Sequence, residues 1–247
     1  MTNLFALTSR ELKAFWFSPI AYVVGALFLL CQGVVFWMLV TFLSMPQMDP
    51  SITISQLFFG GFFFWLSTLI SVPLLTMRTF SEEKRTGSIE LLLTAPVTDT
   101  EVVLAKFLGA WLAYVILWSA TLAFFALLRC FTPFAWGPVL MAYLGVWLLG
   151  GVLVSIGVLT SSLTRNQVIA AVMSFGLILL LFCVGVLEVF VRDPESVKII
   201  RYLSILEHLS AFSKGILDTR PLVFYASLTA ICLFLTGRVI SSPRWRA

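Results

Sequence analysis

The chain has 247 residues, of which 60% are hydrophobic and 11% charged, with a formal net charge of +4. Soluble domains carry roughly 25% charged residues, so this composition excludes an ordinary soluble domain and points to lipid. The modest positive charge forms no basic stripe, which argues against a nucleic-acid partner.

Six apolar stretches approach or exceed the ~20 residues needed to cross a hydrocarbon core: about 20 to 44, 57 to 77, 107 to 128, 138 to 160, 168 to 187 and 222 to 240. They are continuously apolar, where barrel strands would alternate. The predicted fold is therefore an all-α integral membrane protein with six transmembrane helices.

Ahead of the first span, Leu4, Phe5, Leu12, Phe15 and Trp16 mix with Arg10, Glu11 and Lys13 at helical spacing. This predicts an amphipathic helix over 2–18, lying at the membrane surface with lipid as its partner and broken by Pro19. The first span is too long for a signal peptide, so it should stay as an anchor. The second span contains Gly60, Gly61 and Pro73, and Pro73 is expected to bend it.

Between spans two and three lies a charged elbow, 78–100. Glu82 and Arg85 are spaced to pair on one helix face. Gly87 reads as a helix stop, and Ser88 as the cap of a short helix over 89–94 whose Ile89, Leu91, Leu92 and Leu93 would be exposed beside Glu90. Pro96 ends that helix, and Thr98 to Glu101 has the spacing of a capping box for span three. Exposed leucines rimmed by Glu82, Glu83 and Glu90 need a partner or a membrane to cover them.

A tight aromatic turn, Phe131 to Pro138, separates spans three and four. A segment of about 188–221 separates spans five and six, and its apolar-polar alternation predicts two short helices, the second stopped by Gly215. His208, the single histidine, is expected at the outer surface in a solvated or capping role. The cysteines Cys31, Cys130, Cys183 and Cys232 read as small packing residues.

With the N-terminus inside, ten Lys and Arg residues fall on the inner side and six on the outer, which places both termini in the cytoplasm. No titratable residue lies near the middle of a span, as a proton- or sodium-driven carrier generally requires. No G-x-x-x-x-G-K-[ST] loop is present to bind nucleotide. Neither an H-E-x-x-H zinc site nor a Ser/His/Asp triad is supported, so no catalytic, cofactor or metal site is assigned to this chain.

Met77-Arg78, Ser81 to Gly87, Ile89 to Val97 and Lys106 to Gly109 resemble the loop after the second span of ABC-2-type transporter permeases. Ser161-Ser-Leu-Thr-Arg-Asn-Gln167 and His208 to Arg220 resemble the gliding-motility-associated branch of that family. The resemblance implies a single permease domain over 1–247, without an ATPase of its own, in a bacterial inner membrane. It implies a partner cytosolic ABC ATPase that binds ATP and Mg. It further implies a second permease, identical or homologous, that could bear a large extracytoplasmic domain.

On that resemblance the stretch near 88–94 is a coupling helix. Glu82, Glu83, Arg85 and Glu90 would make polar contacts, Leu91 and Leu92 would be buried, and Gly87, Ser88, Ile89 and Leu93 complete the segment. Ser162, Thr164, Arg165 and Asn166 form a secondary candidate group on the inner turn after span four. The expected function is an ATP-driven exporter subunit. The alternative is a membrane anchor that uses the ATPase cycle to act on an envelope partner without moving a solute.

Overall fold

The computed structural model describes residues 2–44, 53–88, 98–191 and 193–242. All the regular structure among them is helical: α1 (Thr2–Trp16), α2 (Pro19–Leu43), α3 (Ile54–Gly60), α4 (Phe62–Thr76), α5 (Ser81–Thr86), α6 (Asp99–Ala120), α7 (Leu122–Arg129), α8 (Trp136–Leu163), α9 (Gln167–Val186), a short 3₁₀ turn (Leu187–Val189), α10 (Pro194–Leu203), α11 (Ile205–Ser213) and α12 (Thr219–Ile240). Six segments are long and apolar enough to cross a membrane: α2, α4 with α5, α6 with α7, α8, α9 and α12. By alternation, α1, the elbow, the turn after α8 and the end of α12 share one side, called here the elbow side.

The fourth span, α8, is the axis of the bundle. It packs against α4, α6, α9, α11 and α12, and Val146, Leu149, Val152, Leu153, Val154 and Val158 are fully buried along it. Close approach is possible because α8 is rich in glycine. At Gly157 a Cβ would run into the Thr76 side chain of α4, so the elbow end of span two lies directly on the backbone of span four.

Two breaks in the second and third spans were not expected. Span two is interrupted at Gly61, whose extended backbone (ψ 153°) separates α3 from α4, whereas Pro73 sits inside α4 and the helix runs on to Thr76. Span three starts earlier than its apolar stretch suggests, at Asp99, because Thr98 and Glu101 form the expected capping box: Thr98 N–H donates to the Glu101 carboxylate at 2.9 Å. It pauses at Thr121, whose hydroxyl is 2.6 Å from the Tyr143 hydroxyl of α8.

The two helices expected before span six are present as α10 and α11. Gly215, at φ +80°, stops α11; Gly215 N–H donates to the Phe212 carbonyl (2.9 Å) and Ile216 N–H to that of Ala211 (3.1 Å), the bonds of a glycine-terminated helix end. α11 does not lie loosely over the mouth of the bundle. Ile205, Leu209 and Phe212 are buried, and Ser55 Oγ of the segment leading into α4 donates to the Ser213 carbonyl at 2.7 Å.

His208 is accordingly not solvated. It is 7% exposed, packs on the rings of Phe224 and Tyr225, and its Nε2 lies 3.1 Å from the Tyr202 carbonyl at the end of α10. Burial lowers its pKa below the ordinary histidine value, partly offset by that carbonyl. Of the cysteines only Cys232 is buried, and none is joined to another among the described residues.

Candidate functional site

The polar residues of the elbow side converge on a joint between α1, α4, α5, α6 and the end of α8. It begins where α4 ends at Thr76. The chain turns through Met77 to Phe80 and enters α5, and that turn is fastened to α8 by one hydroxyl. Phe80 N–H and Ser81 N–H donate to Ser161 Oγ at 3.1 and 3.2 Å, and the Ser161 hydroxyl donates to the Met77 carbonyl at 3.0 Å. These are backbone groups that a helix end and a helix start leave unsatisfied, and Ser161 and Ser81 are both fully buried.

One turn further on, buried Lys84 donates through Nζ to the Ser162 carbonyl. Between Met77 and Lys84 the chain is therefore tied to α8 at two consecutive residues, Ser161 and Ser162. On the opposite flank Lys106 of α6, 2% exposed, pairs with Glu83 of α5 at 2.7 Å and with Glu11 of α1 at 3.4 Å. Its ammonium also stands 5.2 Å from the centre of the Phe80 ring, a favourable placement for a desolvated cation. α1 is drawn close enough for Gly109 to be required on α6, since a Cβ there would come within 2.8 Å of Glu11 Cβ.

The expected site residues divide as follows. Glu83 is engaged, by Lys106; Glu82 and Arg85 make no ion pair with each other, and Arg85 is exposed to solvent. Gly87 stops α5 in the left-handed conformation at φ +73°, which a residue with a Cβ adopts at a cost. Ser88 follows, its hydroxyl 2.9 Å from that of Thr86. Ile89, Glu90, Leu91, Leu92 and Leu93 lie outside the described residues.

Of the secondary group, Ser162 contributes its carbonyl to Lys84, and Asn166 caps α9 by accepting from Val168 N–H at 2.9 Å. Thr164 Oγ1 accepts from Asn166 N–H at 3.1 Å. Arg165, on the same turn, is close enough to act electrostatically on Lys84. The tight turn and the elbow are thus neighbours, which sequence spacing alone did not establish.

Ser161, Lys84, Lys106 and Glu11 were not singled out from the sequence as site residues. Lys106 gave a signal, being a cation at the very edge of an apolar stretch, but it reads equally as a residue reaching to the membrane surface. Ser67, Thr68 and Ser71 of span two are buried, with the Ser67 and Thr68 hydroxyls on the Phe64 carbonyl. Gln32 Nε2 donates to Ser67 Oγ at 2.6 Å.

A family model described as ABC-2 family transporter protein matches residues 70–235, a stretch that takes in the elbow, spans three to five and most of span six. No curated protein matches the chain. Members of this family are membrane subunits of ABC transporters and are not themselves ATPases. The six apolar helices and a match covering more than half of the sequence agree: the chain is a multi-pass membrane protein that belongs to the ABC-2 family of transporter proteins.

Proposed function

We propose that this chain is the permease half of an ATP-driven exporter, and that a separate cytosolic ATPase, which binds ATP and Mg, docks on the elbow. The observation that carries this reading is the Ser161–Lys106 joint. Just before the 88–98 connection, the elbow is tied to α8 by three hydrogen bonds through Ser161 and to α6 and α1 by Lys106. A load applied to that connection would reach four helices at once without first bending a loose loop.

In this reading Leu91 and Leu92 fill a hollow in the ATPase, with Glu82, Arg85 and Glu90 at its rim. Elbow and termini face the cytoplasm of a bacterial inner membrane. α2, α9 and α12 are the least covered spans, which supports a second permease chain beside this one. The narrower likeness to the gliding-motility branch rests on the segments 161–167 and 208–220.

Gentle-detergent purification of the full-length chain should bring down a P-loop ATPase, and a cysteine placed at Ser88 should react only with reagents that reach the cytoplasm. Labelling of that cysteine from the outside of intact cells would contradict the reading. A specific observation also supports the alternative, an anchor acting on an envelope partner: Ser67, Thr68 and Ser71 are buried, and their hydroxyls are taken up by carbonyls of their own helix. Cargo movement in proteoliposomes holding the whole complex separates the two.

A further inference from the structure

On the elbow side a cleft of about 820 Å³ opens between α1, the α4–α5 turn and α6. Leu7, Phe15, Leu74 and Leu75 contribute apolar lining, and Ser18, Arg78 and Glu83 polar lining. Ser18 directly precedes the apolar run of α2 and Arg78 lies two residues beyond α4. Ser18 and Arg78 therefore sit where hydrocarbon gives way to water.

Two atoms in this cleft lack partners. Among the described residues, the buried side-chain nitrogen and oxygen atoms without a hydrogen bond include only two on ionised groups, Arg78 Nε and Glu83 Oε2, and both residues line this cleft. Among the described residues the Arg78 side chain has one hydrogen bond, from Nη1 to Ser18 Oγ at 3.3 Å, and no carboxylate within ion-pair distance. The other carboxylate oxygen of Glu83 already accepts from Lys106, and Glu11 is shared between Lys106 and Arg10.

Arg78 holds Ser18 and Glu83 holds Lys106, yet each keeps one buried atom without a partner, a donor and an acceptor whose burial is unfavourable unless a ligand supplies both bonds. The charged residues lining the cleft balance, with Arg10, Arg78 and Lys106 against Glu11, Glu82 and Glu83, which disfavours a purely anionic occupant. We propose that the cleft holds the head group of a zwitterionic phospholipid with a primary ammonium, of the phosphatidylethanolamine type. The phosphodiester accepts from the Arg78 guanidinium, the ammonium donates to Glu83 Oε2, and the acyl chains follow Leu74 and Leu75 along span two. A choline head group has no N–H to donate, and a glycerol head group has no cation. The inference is independent of ATPase docking.

The test uses the full-length chain purified in mild detergent and offered equal amounts of phosphatidylethanolamine, phosphatidylcholine and phosphatidylglycerol with identical acyl chains. Retained lipid is measured by native mass spectrometry. Phosphatidylethanolamine should be retained about tenfold over each of the others, the factor expected from one charge-assisted hydrogen bond. Glu83→Gln, which removes the carboxylate that receives the ammonium, should abolish that preference, whereas Arg78→Gln should lower retention of all three lipids, since each carries the phosphodiester, and Arg78→Lys, which keeps the charge without Nε, should lower it less. Equal retention of the three lipids, or a preference for phosphatidylglycerol, overturns the proposal. So does competition by free glycerophosphoethanolamine as strong as by the lipid, which would mark a site for a soluble phosphate ester. Should Glu83→Gln or Arg78→Gln fail to fold, the wild-type comparison decides alone.

Discussion

Glu83 Oε1 stands 2.7 Å from Lys106 Nζ, so spans two and three are joined by an ion pair as well as by the connection between them. Lys106 is almost wholly buried while the Glu83 and Glu11 side chains are about one-fifth exposed. Glu83 depends on this one cation, and Glu11 shares it with Arg10. Lys106→Met should therefore destabilise the protein by about 3 kcal/mol, near the low end for breaking a buried pair because both acids touch solvent. Thermal unfolding in detergent measures the loss. The double variant Lys106→Met with Glu83→Gln should lose less than the sum of the two single changes.

Ser161→Ala would leave Phe80 N–H and Ser81 N–H without their acceptor at a buried helix start. The expected cost is about 2 kcal/mol, read by the same unfolding measurement. Ser162→Ala provides the control. Ser162 serves Lys84 through its backbone carbonyl and its hydroxyl bonds only within α8, to the Leu159 carbonyl, so that change should cost well under half as much.

Gly157→Ala should push the elbow end of span two away from span four, because the new methyl meets Thr76. Overpacking of this kind costs about 1–3 kcal/mol. Thr76→Gly in the same chain removes the colliding atoms and should recover most of the loss against its own single-variant background. A destabilisation that Thr76→Gly leaves unchanged would place the clash elsewhere.

His208 sets a pH dependence. Burial keeps its folded pKa below the ordinary value near 6.5, so on acidification the unfolded chain binds a proton before the folded one does. Stability contributed by neutral His208 is complete above about pH 6.5 and declines as pH falls from there towards the folded pKa. The melting temperature of His208→Gln should therefore change less between about pH 7.5 and about pH 5, a window that brackets the ordinary histidine value, than that of the wild type.

Much of this architecture was legible in the chain because its determinants are local. Continuous apolar runs specify the six spans, Thr98 with Glu101 specifies the start of span three, and Gly87 and Gly215 mark helix ends by their positive φ. What was not legible depends on partners far away in sequence. Ser161 acts on Met77, Phe80 and Ser81 some eighty residues earlier, and on its own it is one more serine near a turn. His208 reads as a surface residue because its segment is polar and alternating, yet α11 packs against α8, where the Phe212 side chain occupies the space left by Gly145. The Gly61 break was hidden for another reason: a glycine pair in a membrane helix signals close packing as readily as interruption.

The central claim is that driving force enters through the connection between spans two and three. Its most direct test is the double variant Leu91→Asp with Leu92→Asp, expressed with the partner ATPase and purified by a tag on this chain. The account predicts a chain that inserts into the membrane in normal amount and retains its fold, with the ATPase lost from the purified material. Recovery of the ATPase at the wild-type ratio, with ATP turnover unchanged, would contradict it.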